Sequence, residues 1–450
     1  MLWNIGFFIV AIVILVSFHE WGHYLFARLF KVKIITFSIG FGQTLLSWKN
    51  KKDTRFVVAA IPLGGFVRMA GSKEQDENEQ SFELKDDEVY YDTLPPLKRI
   101  IISLAGPLFN FILAYLLYVC IFTQEITQQD LVFNEVIENS AAYDAGLSGD
   151  FEILKVDGRA FKNLRELSLY LNRFIGQSIS LSMEYKQGGE IKTSTLFLDN
   201  LSIKSPFDVI LQLGLIQKED NYQVMVAGLS ETYGAAEQAG MKPGDIWYSI
   251  DGQIIDSQAK WLLAIQKGGE QQWKVLRSGE IVDLVVTPKR DESTNDSPYL
   301  IGVQVQSTPN ISQHFVQQDL SIFESMIYSF GYTWNMIEFN VVSIIKLIKG
   351  ELGVENLGGP GTMASASGGA AKSGILSFLA LLSILSISLG VINLLPIPML
   401  DGGNVLFDSI ELIRRKALSE HWQLRLRAVG LLIVLSVMGL AITNDLFRFL

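Results

Sequence analysis

The stretch of sequence that decides the fold is residues 2–27, LWNIGFFIVAIVILVSFHEWGHYLFA, which is almost entirely apolar up to His19. A helix needs about 20 apolar residues to cross the hydrocarbon core of a bilayer, so this stretch predicts a membrane-spanning helix. No basic residue precedes it, and it runs past the usual length of a signal peptide without a small-residue cleavage site. We therefore expect this helix to be retained rather than cleaved.

Three further apolar stretches reach spanning length: Ile100 to Phe122, Ile375 to about Pro396, and Ala428 to about Thr443. Basic residues are concentrated in the loops that join the first stretch to the second and the third to the fourth, at Arg28, Lys31, Lys33, Lys98, Arg99, Arg414, Arg415, Lys416, Arg425 and Arg427. The positive-inside rule predicts that both loops are cytoplasmic and that both termini and residues 123–373 lie outside. The sequence therefore predicts a polytopic α-helical membrane protein with four transmembrane helices.

The composition disfavours several other classes of protein. Of the 450 residues 49% are hydrophobic, which argues against a disordered tail, a coiled coil or a nucleic-acid-binding protein. The 47 acidic and 37 basic residues give a net charge of −10, so no general attraction to phosphate backbones is expected. Cys120 is the single cysteine, so no intrachain disulfide can form.

The outer segment contains an internal repeat. Shifting it by 94 residues superposes six identical residues: Ala141, Ala142, Ala145, Gly146, Asp157 and Gly158 fall on Ala235, Ala236, Ala239, Gly240, Asp251 and Gly252. Each copy predicts a short helix ending at Ala-Gly, a turn, a short strand and an Asp-Gly hairpin turn. We expect two small α+β modules, residues 123–215 and 216–310, although six identities in eighteen positions also fit a chance similarity of glycine-rich turns.

Residues 311–374 separate the repeat from the third span. Ile322 to Ile348 is apolar at helical spacing but carries Glu324, Glu338 and Lys346, which predicts a surface-lying or core-facing amphipathic helix rather than a fifth span. The stretch from Gly358 to Gly374 is rich in glycine, alanine and serine, the composition of a flexible connector or hinge.

The first 122 residues also contain a loop with two distinct parts. Arg55 to Met69 is strand-like but interrupted by Pro62 and by Gly64-Gly65. Its apolar residues could enter the bilayer only where protein buries the backbone. Lys73 to Asp92 is acidic and polar, which predicts a mobile stretch.

The first span contains the sequence His19-Glu20-Trp21-Gly22-His23. Residues four apart lie on one face of a helix, so both imidazoles can bind one Zn²⁺ while Glu20 stands beside them as a general base. With only four histidines in the chain, the pattern arises by chance about 0.002 times. Packed polar side chains without chemistry are the alternative, but ionisable groups at membrane depth are costly and normally functional.

Zinc requires a third protein ligand and an open position. Phe26 and Leu29 stand where the metzincin class has glycine and histidine, so the third ligand must come from elsewhere. Asp401 is the best candidate, because prolines end the third span before it and the glycine pair after it would let the backbone turn. An ordinary helix-capping aspartate is the alternative.

The predicted topology brings these residues together. The first and third spans both run from outside to inside, so the histidine pair and Asp401 fall near the cytoplasmic ends of parallel helices. His19 lies roughly 14 Å inside the end marked by Arg28 if the helix is continuous. We therefore expect an intramembrane metal centre toward the cytoplasmic side.

The chain resembles the site-2 protease family of intramembrane zinc metalloproteases. The resemblance rests on residues 19–23, on the run Asn393-Leu394-Leu395-Pro396-Ile397-Pro398-Met399-Leu400-Asp401-Gly402-Gly403, and on Phe37-Ser38-Ile39-Gly40-Phe41-Gly42, Ile61-Pro62-Leu63-Gly64-Gly65 and Ala105-Gly106-Pro107 with Asn110. It covers essentially the whole chain. It implies that the two outer modules are PDZ-like and that residues 34–68 form a membrane re-entrant β-hairpin.

The resemblance also implies roles for individual residues. Implied are ligation of one zinc ion by His19, His23 and Asp401, general-base catalysis by Glu20, a substrate-backbone contact from Asn393, and a substrate-lining role for Gly40, Gly42, Gly64 and Gly65. Many relatives have histidine where this chain has Asn404, which does not affect the implied ligand Asp401.

The sequence therefore predicts a zinc endopeptidase that cuts within transmembrane segments of single-span membrane proteins. By resemblance, its substrates are anti-sigma factors already trimmed on the outside and remnant signal peptides, in an envelope stress response at the bacterial inner membrane. The PDZ-like modules would bind a peptide C-terminus or exclude bulky substrates. The alternatives are a non-enzymatic scaffold, which Glu20 argues against, and a peptidase for soluble peptides, which the depth of His19 argues against.

Overall fold

The structure, a computed structural model, describes residues 2–71, 84, 87–124, 126–199, 201, 209–217, 222–229, 234–290, 298–308, 315–318, 320–350, 353–354 and 357–449. It divides into two compact units. The first, called here the membrane unit, comprises Met1–Glu125 and Asp319–Leu450, and the second, the inserted unit, comprises Ile126–Gln318. Most of the polar stretch from Lys73 to Asp92 lies outside the described residues.

The helices are, in chain order, α1 (Leu2–Leu29), α2 (Pro96–Phe122), α3 (Ala141–Asp144), α4 (Leu164–Leu171), α5 (Val209–Gln212), α6 (Ala235–Gln238), α7 (Gln258–Gln266), α8 (Ile322–Lys349), α9 (Pro360–Lys372), α10 (Ile375–Asn393), α11 (Asp401–Arg414) and α12 (Glu420–Phe449). The strands are β1 (Ile34–Lys49), β2 (Arg55–Met69), β3 (Ile126–Gln129), β4 (Val132–Phe133), β5 (Glu135–Val136), β6 (Phe151–Val156), β7 (Arg159–Ala160), β8 (Ile179–Gln187), β9 (Glu190–Leu198), β10 (Leu215–Ile216), β11 (Gln223–Leu229), β12 (Ile246–Ile250), β13 (Gln253–Ile254), β14 (Gln271–Arg277), β15 (Glu280–Val286), β16 (Val303–Thr308) and β17 (Phe315–Gln318).

Within the described part of the chain, four helices are long and apolar enough to cross a membrane: α1, α2, α10 and α12. This confirms the four predicted spans. The helix of the fourth begins at Glu420, earlier than the predicted Ala428, because helix continues beyond the apolar residues. The third ends at Asn393, short of the predicted Pro396, because the following prolines cannot continue a helix.

Helix α2 lies at the centre of the membrane unit and packs against α1, α8, α10 and α11. It approaches α1 closely at Gly22, where an added Cβ would lie 2.4 Å from the carbonyl oxygen of Ala105. Small residues allow helix backbones to come this close in membrane proteins. The crossing places the turn of α1 that carries His19 and His23 directly against α2.

Strands β1 and β2 each bend back on themselves and together form one sheet that packs on α1. Residues 34–39 pair with 65–69 on one side, residues 36–39 pair with 55–58 on the other, and residues 44–49 pair with 55–59. β1 bends at Gly40 and Gly42, whose φ values of 93° and 83° favour glycine. β2 reverses its direction between residues 59 and 65, because 55–58 pair with 36–39 in parallel register and 65–68 pair with 36–39 in antiparallel register. This reversal falls at the predicted interruption, which is at Pro62 and Gly64-Gly65.

Helix α8 packs on α2 and α10 with its polar side inward. Ser325, Ser329 and Thr333 are buried, whereas Phe323 and Phe330 are exposed. The Ser325 hydroxyl donates to a carbonyl at the end of α2 over 2.9 Å. A helix that faces water carries its polar residues on the outer side. α8 carries them on the inner side, which is typical of a helix with lipid on its outer side.

The prediction of a flexible connector before the third span is wrong in its central part, because that segment forms α9. The carboxylate of Asp445 in α12 accepts hydrogen bonds from backbone N–H groups at the start of α9, at 2.7 to 3.3 Å. The indole of Trp3 donates to the carbonyl of Gly368 over 3.2 Å. These tertiary contacts stabilise a helix whose composition alone disfavours it.

Among its described residues, the inserted unit contains two larger sheets, each with its own apolar core, and two short strand pairs, β5 with β10 and β3 with β17. The strand orders are β4-β6-β8-β9, with β7 on β6, and β15-β14-β12-β11-β16, with β13 on β12. The repeated turns occupy equivalent positions, since Asp157 and Asp251 have φ values of 51° and 50°. Each carboxylate accepts a hydrogen bond of 2.8 Å from a strand N–H, of Ser182 and Gln272 respectively.

Candidate metal centre and active site

The structure brings His19, His23 and Asp401 together, although Asp401 is distant in sequence. His19 Nε2 lies 3.1 Å from Asp401 Oδ2, His23 Nε2 lies 3.3 Å from Asp401 Oδ1, and the two Nε2 atoms are 3.2 Å apart. Both imidazoles are buried. Three groups that can each offer one ligand atom therefore converge on one point.

The spacing of these atoms fits zinc. Two nitrogen ligands about 2.0–2.1 Å from a tetrahedral zinc ion are roughly 3.3 Å apart, close to the separations found here. Asp401 Oδ2 is buried and makes no hydrogen bond, even though His19 Nε2 is near it. A buried carboxylate oxygen without a partner is costly, and a metal ion would satisfy it.

Asp401 reaches the site because α10 ends at Asn393 and α11 begins at Asp401 itself. The chain reverses at Met399, with φ of 108°, so the predicted turn at the glycine pair is wrong. Gly402 and Gly403 instead lie buried inside α11. A Cβ on either would lie 2.3–2.5 Å from carbonyl oxygens of the preceding loop, so these glycines let the first turn of α11 pack against that loop.

Helix α2 forms the wall behind the imidazoles. A Cβ on Gly106 would lie 2.2 Å from His23 Nε2 and 2.8 Å from His19 Cε1, so both rings occupy the space that a side chain would fill. His23 Nδ1 lies 2.8 Å from the carbonyl oxygen of Ile102. Pro107 lacks an N–H, so it cannot donate the helical hydrogen bond to the carbonyl of Ser103, four residues earlier.

Glu20 lies in the same cavity as the three ligand candidates. The cavity has a volume of about 910 Å³, and Glu20 itself is 8% exposed. Its side chain also packs beside Gly65, where an added Cβ would lie 3.0 Å from Glu20 Cγ. The carboxylate is therefore largely buried in the cavity that the three ligand candidates line.

Of the remaining predicted residues, Asn393 is placed at the centre of the site, with its amide nitrogen 3.4 Å from His19 Nε2. Gly64 and Gly65 line the cavity, as does Asn404. Gly40 and Gly42 do not line it; they form the bend of β1 instead.

Several residues of the site carried no predicted role. Tyr91 and Arg99 line the cavity on the side of α11, where Arg99 pairs with Asp408 and Glu411 at 3.3 and 2.7 Å. Burial, together with the charge of Asp408, raises the pKa of Tyr91 to about 12, so its hydroxyl stays protonated. Asn110 contacts His19, and only its place in a motif of the second span could have indicated it.

Residues 7–437 match the family described as Peptidase family M50. The chain belongs to this family, that of the site-2 proteases. It is 32% identical to a putative zinc metalloprotease of Vibrio cholerae, 29% to the regulator of sigma E protease of Haemophilus influenzae and 28% to the regulator of sigma-E protease RseP of Escherichia coli. Each of these alignments covers 99% of this chain and 99% of the relative.

Membership of family M50 confirms the predicted enzyme class. The chain is a membrane metalloprotease, and its metal is zinc. The alternative of a non-enzymatic scaffold is thereby excluded.

Proposed function

We propose that this M50 protease cuts within the transmembrane segments of single-span membrane proteins, at a zinc ion held by His19, His23 and Asp401. The observation that carries the proposal is the convergence of their ligand atoms, 3.1–3.3 Å apart, with Glu20 in the same buried cavity. His19 lies within an apolar helix of 28 residues, which supports a cut at membrane depth.

When bound, zinc supplies Lewis acidity, which polarises a carbonyl group and lowers the pKa of a water molecule that it contacts. The Glu20 carboxylate accepts a proton from the attacking water and later gives it to the leaving amide nitrogen. Asn393 donates from its amide Nδ2 to the scissile carbonyl oxygen as negative charge develops there.

The substrate must unwind, because the carbonyl groups of a helix are already hydrogen-bonded and shielded. The sheet formed by β1 and β2 supports a way to hold the unwound segment. Within the described residues, Phe66 and Val67 pair with a strand on one side only, through Ser38 and Phe37, and both line the catalytic cavity. An extended substrate can add to that edge as a further strand, which is a common mode of peptide recognition.

The substrate class and the location are proposed from the relatives. The relatives of Haemophilus influenzae and Escherichia coli are named regulator of sigma-E protease, which supports anti-sigma factors as substrates and the bacterial inner membrane as the location. The loops rich in lysine and arginine support cytoplasmic ends for α1 and α2, with both termini on the other side.

The test is cleavage of a tagged single-span substrate by the purified full-length protein, with the cut located by fragment mass. We expect a cut inside the apolar segment, abolished by a zinc chelator and restored by zinc. Replacing one substrate residue at the cut by glycine should raise the rate, because it eases unwinding. A cut confined to the soluble flanks, or activity that resists chelation, would contradict the proposal.

We further propose that the inserted unit selects substrates and performs no chemistry. In its described residues no group of histidine, cysteine or acidic side chains has metal-binding geometry. β3 and β17 pair at its two chain ends, so removal of residues 130–305 leaves that pair to join the remaining chain. The deletion should preserve cleavage of a short-tailed substrate and newly permit cleavage of one with a large folded outer domain. Loss of the short substrate from a zinc-loaded variant would indicate recruitment instead.

A further inference from the structure

Helix α2 presents a regular stripe to the two imidazoles. Ile102, Gly106 and Asn110 are spaced by four residues and so lie on one face. In this stripe a backbone carbonyl faces His23, a glycine leaves room for both rings, and a carboxamide faces His19. The stripe matches the four-residue spacing of the histidines on α1.

Asn110 is fully buried, and its amide nitrogen lies 3.2 Å from His19 Nδ1. Its oxygen Oδ1 is also buried and has no hydrogen-bond partner. Its backbone carbonyl accepts a hydrogen bond of 2.8 Å from the hydroxyl of Ser386 in α10. Asn110 therefore joins α2 to α1 and to α10, the helix that leads to Asn393.

The chemistry of a metal-binding histidine dictates what Asn110 must provide. A neutral imidazole that binds a metal through Nε2 carries its proton on Nδ1, and that N–H needs an acceptor. His23 has such an acceptor in the Ile102 carbonyl. His19 faces the Asn110 carboxamide, and a half-turn of this planar group exchanges nitrogen for oxygen with no change of shape.

We propose that Asn110 is a positioning residue for zinc, which accepts the Nδ1–H of His19 through Oδ1 and so keeps His19 Nε2 free to bind the metal. This inference rests on the proposed ligation by His19. The two imidazoles are then held by the same device, one by a backbone carbonyl and one by a side-chain carbonyl of α2. In this orientation Asn110 Oδ1 accepts a hydrogen bond from His19.

The test compares two replacements of similar size. Asn110→Asp retains an acceptor for His19, whereas Asn110→Leu has none. Zinc dissociation constants are measured for the purified full-length proteins by competition with a chromophoric chelator. We expect Asn110→Leu to weaken zinc binding about 10- to 100-fold, and Asn110→Asp to stay within a few-fold of the unmodified protein.

Two controls separate positioning from folding. Thermal unfolding in excess chelator should give similar midpoints for the Leu variant and the unmodified protein, because leucine fills the same buried space. Ser386→Ala removes the bond to the Asn110 backbone but leaves the carboxamide, and its zinc affinity should change less than about threefold. The absorption spectrum of bound Co²⁺ should shift in the Leu variant alone, as the orientation of His19 changes.

The outcomes distinguish this inference from the proposed site. Equal zinc affinity in the Leu variant and the unmodified protein, or equal loss in the Asp and Leu variants, would overturn the role of Asn110 as acceptor. If His19→Ala bound zinc as tightly as the unmodified protein, the ligand assignment itself would fail, whatever the Asn110 variants show.

Discussion

The membrane unit and the inserted unit use polar side chains in opposite ways. In the inserted unit, Asp157, Asp245 and Asp251 accept hydrogen bonds from backbone N–H groups and so hold turns in place. In the membrane unit, His19, His23 and Asp401 face one another across a cavity. A polar group that already makes its hydrogen bonds within the fold is not available to bind a metal or a substrate. A polar group that is held facing a cavity is available.

The largest effect that this comparison predicts is at Glu20. Glu20→Gln should lower the cleavage rate by about 10²–10⁴-fold, because the amide cannot accept the proton of the attacking water. Zinc content should stay near that of the unmodified protein, since no ligand is lost. The rate is measured with a tagged single-span substrate and zinc by atomic absorption. Glu338→Gln in α8 is the matched control, and a Glu20 variant that kept its full rate would remove the general-base assignment.

Asp401→Ala should lower both zinc occupancy and activity, because it removes one of three proposed ligands. Zinc occupancy is measured after dialysis against a weak chelator. Asp150→Ala, in the inserted unit, removes an aspartate whose carboxylate accepts a hydrogen bond from Asn134, and it should retain its zinc. Full metal content in the Asp401 variant would place the third ligand elsewhere and would weaken the contrast between the units.

Asn393→Ala should reduce the turnover number by about a hundredfold, the usual cost of losing a hydrogen bond made in the transition state. The Michaelis constant and the zinc content should change little. Steady-state kinetics together with metal analysis check this. If zinc were lost instead, the contact with His19 would be a structural support for the metal site, and the catalytic role would be withdrawn.

The smallest effect concerns stability in the inserted unit. Asp245 is buried, which alone would raise its pKa, but hydrogen bonds from Arg277 and from the Lys242 N–H outweigh burial and lower it. A lowered folded pKa contributes stability above about pH 4, which is lost as the pH falls through the folded pKa.

Asp245→Asn should therefore destabilise its sheet by about 1–3 kcal/mol at neutral pH, and by less at lower pH. Hydrogen exchange of peptides from β12 and β14, read by mass spectrometry, measures this. β6 and β8 of the first sheet serve as the internal control. An equal effect at all pH values would mean that the substitution acts through packing rather than through charge.

Local spacing predicted one half of the candidate site, and only tertiary structure supplied the other. The four-residue interval between His19 and His23 fixes a shared helix face, so it is readable from sequence. The placement of Asp401 followed from topology, but the chain reversal at Met399 did not, because a positive φ at methionine has no sequence signal. The acceptor for His23 is a backbone carbonyl. Because every residue has a backbone carbonyl, the sequence does not indicate this acceptor.

Prediction of the fold succeeded where hydrophobicity determines the structure. It failed where contacts between residues distant in sequence determine it. Apolar length identified the four spans. Glycine content misled the prediction for α9, because Asp445, far along the chain, supplies the hydrogen bonds that its first turn needs. Pro62 and the glycine pair at 64–65 correctly indicated where β2 reverses its direction.

The cap that Asp445 provides also constrains how the membrane unit can open. Hydrogen bonds to a charged group contribute about 1.5–3 kcal/mol each, and separating α9 from α12 would break several of them and strand a carboxylate among apolar helices. These hydrogen bonds therefore hold the start of α9 to the end of α12. Any lateral passage for a substrate must open along another seam of the bundle or swing this pair as a unit.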